Sequence, residues 1–222
     1  MFLTQRYLNV SLYIWLSFIT LSLFFIFFPQ IDLDAANFFY DGEHFILKGT
    51  IFEIFFFQSV RVITGFMILT YIFIIIHYLF TKRTIFNISK KVLLYIFLVL
   101  SIAPGLIVNS VLKEHMGRAR PVDIVQFGGN KEFTPAFIPS DQGGNSFTSG
   151  HAAAAFSLTG FALLANRRRK LWMGVALAYG TAVIIARMGA GGHFLSDNIT
   201  SFFIVFISTH ILYKIIFKKD SL

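Results

Sequence analysis

Six runs of apolar residues, each close to the length that crosses a lipid bilayer, divide this chain. They extend approximately from Leu8 to Phe28, Val60 to Phe80, Val92 to Leu112, Phe147 to Ala165, Leu171 to Ala186 and Phe194 to Phe217. A hydrocarbon core about 30 Å thick takes roughly 20 helical residues to cross. Inside lipid each backbone polar group has to find its partner within the segment, so such runs are expected as helices. With 56% hydrophobic residues, 29 Phe and only 14% charged residues among 222, little chain remains for a soluble domain. The expected architecture is all-α, a polytopic six-transmembrane-helix bundle making one integral membrane domain over residues 1–222. The first run is longer than the apolar stretch of a secretory signal and lacks a small-residue cleavage site, so it is expected to stay as a helix.

Charge then sets orientation. The formal net charge is +8, and the cations cluster by loop. Arg6, Lys82, Arg83, Lys90, Lys91, Arg167, Arg168, Arg169, Lys170, Lys214, Lys218 and Lys219 fall on one side of the predicted spans, together with a single acid, Asp220. The other side carries the remaining acids, Asp32, Asp34, Asp41, Glu43 and Asp123 among them. Cationic loops stay in the cytoplasm, so both termini are expected inside and the loops after the first, third and fifth runs outside. The basic excess is then a topology signal, with contact to anionic lipid as a secondary effect, and no nucleic-acid partner is expected. No obligate protein partner is evident. The absence of cysteine removes disulfides and thiolate metal sites.

Three polar patterns lie at the ends of these runs, all on the predicted outer side. In "KEHMGRARP", Lys113, Arg118 and Arg120 oppose the positive-inside bias, which points to an anion. A guanidinium takes two phosphate oxygens through its planar fork, and a lysine adds a compact charge. Pairing with Glu114 or Asp123 is the alternative use. In "SFTSGHAAAAF", a helix beginning near Ser149 presents unpaired N–H groups and the positive end of its dipole. Gly150 admits a ligand to the backbone, Ser149 offers a hydroxyl donor and His151 is placed to exchange a proton. Taken alone, a serine before a helix is usually just a cap. The alanines and Gly160 fit close helix packing. In "ARMGAGGHFLSDN", Arg187 ends one run, glycines make the link, and His193 and Asp197 stand four residues apart at the start of the next. On a helix that spacing shares a face, so the carboxylate is expected to hold one imidazole nitrogen and leave the other as a nucleophile.

Lys113-x6-Arg120-Pro121, Ser149-Gly150-His151 and Arg187-x5-His193-x3-Asp197 together resemble the three signatures of the type 2 phosphatidic acid phosphatase superfamily. The resemblance covers the third to sixth apolar runs. It implies that Lys113, Arg120 and Arg187 hold the phosphoryl oxygens, with the backbone N–H groups of Ser149 and Gly150 completing the cradle. It implies that His193 attacks phosphorus to form a phosphohistidine, that Asp197 orients it, and that His151 protonates the departing oxygen and then activates water. Arg118 is a supporting candidate. Three cations and a helix terminus would supply the charge stabilisation, so neither metal nor cofactor is expected. Two positions depart from the family pattern: Thr148 stands where proline is usual, and Ala186 where serine is usual. Activity is still expected.

The stretch "FPQIDLDAANFFYDGEHFIL" after the first run resembles the segment found in bacterial lipid A phosphatases and their near relatives. The implied reaction is removal of a phosphate from lipid A, the 4′-phosphate ahead of the 1-phosphate, at the periplasmic face of the bacterial inner membrane. Undecaprenyl diphosphate and phosphatidylglycerol phosphate are the alternative substrates within the same class. A non-catalytic lipid transporter or scramblase is the alternative of another class. Transport predicts ionisable groups deep along a path through the bundle, whereas here the arginines and paired histidine gather at one lip. His77 and His210 lie toward the cytoplasmic ends, expected as interfacial or hydrogen-bonded within the bundle. Glu53 and Arg61 flank the outer end of the second run, as an ion pair, a headgroup contact or a substrate contact. The loop from Val122 to Asn145 links two of the patterns and is expected to read the headgroup.

Overall fold

The computed structural model describes residues 6–8, 10–85 and 88–217. Lys218, Lys219 and Asp220 of the charge pattern, and the side chain of Arg6, lie outside the described residues. Two short strands, β1 (Arg6–Tyr7) and β2 (Val10–Ser11), pair antiparallel ahead of α1 (Leu12–Phe27). Pro29 has no N–H with which to continue the α1 ladder, and the chain bends by 88° into α2 (Gln30–Asn37). A loop closed by Asp41, whose Oδ1 accepts the N–H groups of Glu43 and His44, leads to α3 (Ile51–Thr81). Thr50 caps α3 by accepting from the Glu53 N–H. At 31 residues α3 is about 46 Å long and outreaches the hydrocarbon core, so it begins at Ile51 rather than at Val60.

The third run is one continuous rod with a changed pitch. It starts as α4 (Lys90–Leu100), widens into a π-helix over Ser101–Leu112 and ends as α5 (Lys113–Met116). Pro104 lies inside the widened part, and Asn109 Nδ2 donates to the Pro104 carbonyl at 2.6 Å. A single widened turn is the usual form of π-helix in proteins, frequently at functional sites. Gly117, with φ +58°, stops the rod.

The fourth run departs from expectation. In place of one helix over Phe147–Ala165 there are two short ones, α6 (Gly150–Phe156) and α7 (Leu158–Leu164), turning at Ser157. Together they reach about 22 Å, short of a full span. The polar Ser146–Ser149 segment is spent on the site, so the helix cannot start earlier. The break is sheltered within protein, since Ser157 is buried and its Oγ donates to the Ala154 carbonyl. The remaining helices, α8 (Arg169–Gly189) and α9 (Leu195–Phe217), match their apolar runs closely. Among the described residues four helices are long and apolar enough to cross a membrane, or five if the bent α1–α2 pair makes one span; the helical membrane class holds, and the count of six is not confirmed.

Small residues set the packing. Ala152 and Ala153 of α6 lie against Val108 of the π-helix and Val205 of α9, with Phe156 filling the adjacent space. At Gly180 of α8 an added Cβ would overlap the Phe156 ring. At Gly160 of α7 it would press within 3.0 Å of Val99 and Thr209, while Tyr95 donates to both the Gly160 and Thr209 carbonyls. Above this core the loops fold into a cap. Ala36, Phe45, Ala119, Ile124, Phe127 and Phe194 cluster there, tying α2 and the 118–133 loop to the start of α9. Val122 N–H donates to the Gly191 carbonyl, Ser146 to Arg118 and Ser149 to Asp197, so the three polar patterns are stitched together by backbone bonds.

Candidate active site

A buried polar cluster lies under that cap. Arg118 is fully buried, and each nitrogen of its guanidinium donates. Nε reaches the Thr134 carbonyl at 2.8 Å, one terminal nitrogen reaches Asp197 Oδ1 at 2.5 Å and Ser196 Oγ at 2.9 Å, and the other reaches Asp32 Oδ2 at 2.8 Å. Asp32 also accepts from the N–H and the hydroxyl of Ser196. The Phe194 ring lies 4.3 Å beneath the guanidinium. A buried charge is tolerated when paired and saturated with hydrogen bonds, and this one is. The network joins α2, the loop after α5 and the first turn of α9.

Asp197 is held by more than arginine. Its Oδ2 accepts from the Ser146 hydroxyl at 2.6 Å and from the Phe194 N–H at 2.8 Å. His193 sits in the loop before α9 rather than on the helix, is 2% exposed, and its Nδ1 lies 2.8 Å from the Ser146 carbonyl but 3.8 Å from Asp197 Oδ2. A carbonyl only accepts, so Nδ1 carries the proton and Nε2 keeps its lone pair. Asp197 thus orients His193 through Ser146. Burial pushes the His193 imidazole down to about 4 against the opposing pull of Asp197, which keeps the ring neutral and nucleophilic at neutral pH.

Around His193 stand the cations. Arg187, at the end of α8, is 8% exposed and donates to Glu53 Oε1 at 3.4 Å. Its Nε is buried without a partner, and its guanidinium crosses the backbone of Gly192 so closely that a Cβ there would overlap it. Lys113 Nζ and Asn109 Oδ1 border Gly150 at 3.4 and 2.8 Å from where a Cβ would project. Lys113, Arg120 and Arg187 act on one another electrostatically, and His151 feels Arg187, His193, Arg61 and Lys113. His151 stacks on Phe57 of α3 at 4.5 Å and 19°. A groove of about 370 Å³ opens beside them between α3, the π-helix and α6, with Arg61, Asn109, Lys113, Gly150 and His151 on its walls.

Like charges crowded into a buried pocket are unfavourable unless an anion is their partner. Among the described residues neither Lys113 nor Arg120 pairs with a carboxylate, so the Glu114 and Asp123 pairings are not formed. No three His, Asp or Glu side chains among the described residues converge as a metal site would require. The arrangement suits a phosphoryl group beside a neutral imidazole.

A model described as the PAP2 superfamily matches residues 94–221. The chain belongs to the PAP2 superfamily. As a PAP2 protein with long apolar helices, it is an integral membrane enzyme, a phosphoric monoester hydrolase acting on lipid. It is 36% identical over 204 residues to the lipid A 4′-phosphatase of Francisella tularensis subsp. novicida (strain U112), covering 89% of this chain and 91% of that one. It is also 40% identical over 103 residues to the lipid A 4′-phosphatase of Rhizobium leguminosarum, covering 44% and 43% of the two chains. No solved structure matches the chain.

The PAP2 signature residues are brought together, with three changes from expectation. Arg118, the supporting candidate, has its guanidinium saturated by Asp32, Asp197, Ser196 and Thr134. The Ser149 N–H donates to the Asp197 carbonyl at 3.3 Å and its Oγ caps α6 through Ala152, so both groups are engaged within the protein. Asp197 holds His193 at one remove. Sequence reasoning missed Ser146, the hinge of that relay, and gave no role to Phe57 or Asn109. Glu53 meets Arg187 rather than Arg61. A signal for the α3 residues existed, since Glu53 and Arg61 are the two charged residues of a mostly apolar helix and stand eight positions apart, on one face, with Phe57 midway. No local signal marks Ser146. Thr148 is buried with its Oγ1 unpartnered and follows a cis peptide bond, and Ala186 is fully buried. His77 and His210 bond within their own helices, to Thr81 Oγ1 and to the Phe206 carbonyl.

Proposed function

We propose that the protein removes the 4′-phosphate of lipid A at the periplasmic face of the bacterial inner membrane, through a phosphohistidine on His193. The observation that carries the substrate is the 36% identity over 89% of the chain, which reaches well beyond residues 94–221. The signature residues explain phosphoryl transfer in general, so headgroup choice has to reside in the rest, and the rest is shared too.

Burial and the neighbouring cations push the free His151 imidazole down to about 3, and the negative charge of the bound phosphate offsets those cations so that the ring takes up a proton with the substrate. In the first step His193 Nε2 attacks phosphorus as the bond to the sugar oxygen breaks, and His151 gives that proton to the leaving oxygen. Lys113, Arg120, Arg187 and the Gly150 N–H hold the three equatorial oxygens, where charge is spread in the transition state. In the second step neutral His151 takes a proton from water, whose oxygen attacks phosphorus while the N–P bond breaks, releasing inorganic phosphate and His193. Because cations occupy the positions around the phosphoryl group, the reaction is expected to proceed without a divalent ion.

The test is phosphate release from bis-phosphorylated lipid A in detergent micelles, with the product mapped by mass spectrometry and phosphatidylglycerol phosphate and undecaprenyl diphosphate run alongside. Loss of the 4′-phosphate alone is expected, unchanged by EDTA and abolished by His193→Ala, with Asp197→Asn retaining a trace. Preference for another lipid overturns the substrate; full activity of His193→Ala overturns the nucleophile; loss on chelation restored by a divalent ion overturns metal independence.

A further inference from the structure

One face of α3 reaches into the site from outside the family signature. Glu53, Phe57 and Arg61 follow one another at four-residue intervals and so share a stripe. Glu53 holds Arg187, and the Phe57 ring carries three neighbours at once: stacked His151, the Arg187 guanidinium at 4.9 Å and the Arg61 guanidinium at 4.2 Å. Arg61 also lines the groove that holds Lys113, Gly150 and His151. Glu53 and Phe57 have work in orienting known groups. Arg61 has no such partner.

An exposed guanidinium on an apolar helix is expensive near lipid and is kept where it meets an anion or a polar cavity. Among the described residues Arg61 pairs with no carboxylate, and it shares its ring with a second cation. Counted together, Lys113, Arg118, Arg120, Arg187 and Arg61 face Asp32, Asp197 and Glu53. Arg61 adds to a cationic surplus of the kind a phosphate monoester, roughly −2 near neutral pH, would balance.

We propose that Arg61 is a substrate-binding residue, its guanidinium taking an oxygen of the phosphorylated headgroup on the side where His151 meets the leaving oxygen. The proposal rests on the reading of His151 as the acid, but not on which lipid is cleaved. Stacking on Phe57 pre-sets the planar fork, so little freedom is lost when the anion arrives.

The test is binding of inorganic phosphate to the full chain in detergent, by isothermal titration calorimetry, beside steady-state kinetics on bis-phosphorylated lipid A and on dioctanoyl phosphatidic acid. Arg61→Gln is expected to weaken phosphate binding about tenfold and to raise KM for whichever lipid the wild type cleaves, the scale of one charged hydrogen bond. Arg61→Lys, which keeps the charge but not the planar fork, is expected to recover part of the loss. Unchanged phosphate binding and KM in Arg61→Gln would make the residue an interface anchor and overturn the proposal. So would equal behaviour of the Gln and Lys variants, or a fall in kcat with KM unmoved, since these place the effect in packing or in His151. A wild type that binds phosphate and cleaves phosphatidic acid but not lipid A refutes the lipid A assignment while leaving the Arg61 comparison intact.

Discussion

At the scale of single residues, Arg118 and His193 divide the work of the site. Arg118 is the one signature-loop cation turned inward, and removing it would strand two buried carboxylates. Arg118→Met is therefore expected to destabilise the fold by about 3–5 kcal/mol, read as a lowered thermal midpoint in detergent, whereas Arg120→Met should spare stability and weaken phosphate binding. His193 makes a second prediction. Its imidazole is held near 4, below the unfolded value near 6.5, so the folded state resists a proton that the unfolded chain accepts. Stability contributed by the neutral ring is complete above about pH 6.5 and is lost as pH falls through about 4, a change on the order of 3 kcal/mol. Histidine NMR of the labelled protein, with the His193 signal assigned by its loss in His193→Gln, is expected to show a midpoint near 4. A midpoint near 6.5 would mean that burial does not control this ring.

At the scale of elements, the π-helix and α6 work as a pair. Widening the rod at Pro104 turns Asn109 toward Gly150, and Lys113 follows one turn later against the same glycine. The start of α6 is thereby fixed relative to the cation that faces it. Its far end is fixed by Phe156, which packs on the bare backbone of Gly180 in α8. Gly180→Val is expected to push Phe156 away and cost about 1–3 kcal/mol, lowering the thermal midpoint while leaving KM near wild type if the site end of α6 holds. The apolar runs announced α1, α3, α4, α8 and α9, because length and hydropathy are enough to mark a helix in lipid. They could not announce the π-helix or the break at Ser157, since both depend on which backbone carbonyls neighbouring side chains reach.

At the scale of the whole molecule, the site lies at one end of the bundle, roofed by α2 and the 118–133 loop, and the orientation of that end is a separate question from its geometry. With no native cysteine, single cysteines report it directly. In intact cells Asp141→Cys is expected to react with a membrane-impermeant maleimide, and Arg167→Cys only after permeabilisation; the reverse pattern would turn the protein over. The sequence by itself determined the membrane-spanning class and the family, because apolar run length and short motif spacings are local properties that survive without a fold. Tertiary structure alone decided which of the motif side chains pair with one another. Arg118, Arg120 and Lys113 share one short stretch of chain, yet a buried guanidinium must be saturated, and only the folded chain brings Asp32 of α2 and Asp197 of α9 to Arg118 while leaving the other two without a carboxylate partner among the described residues. The Ser146 relay was hidden for the same reason: hydrogen bonds between residues distant in sequence exist only once packing has excluded water from between them.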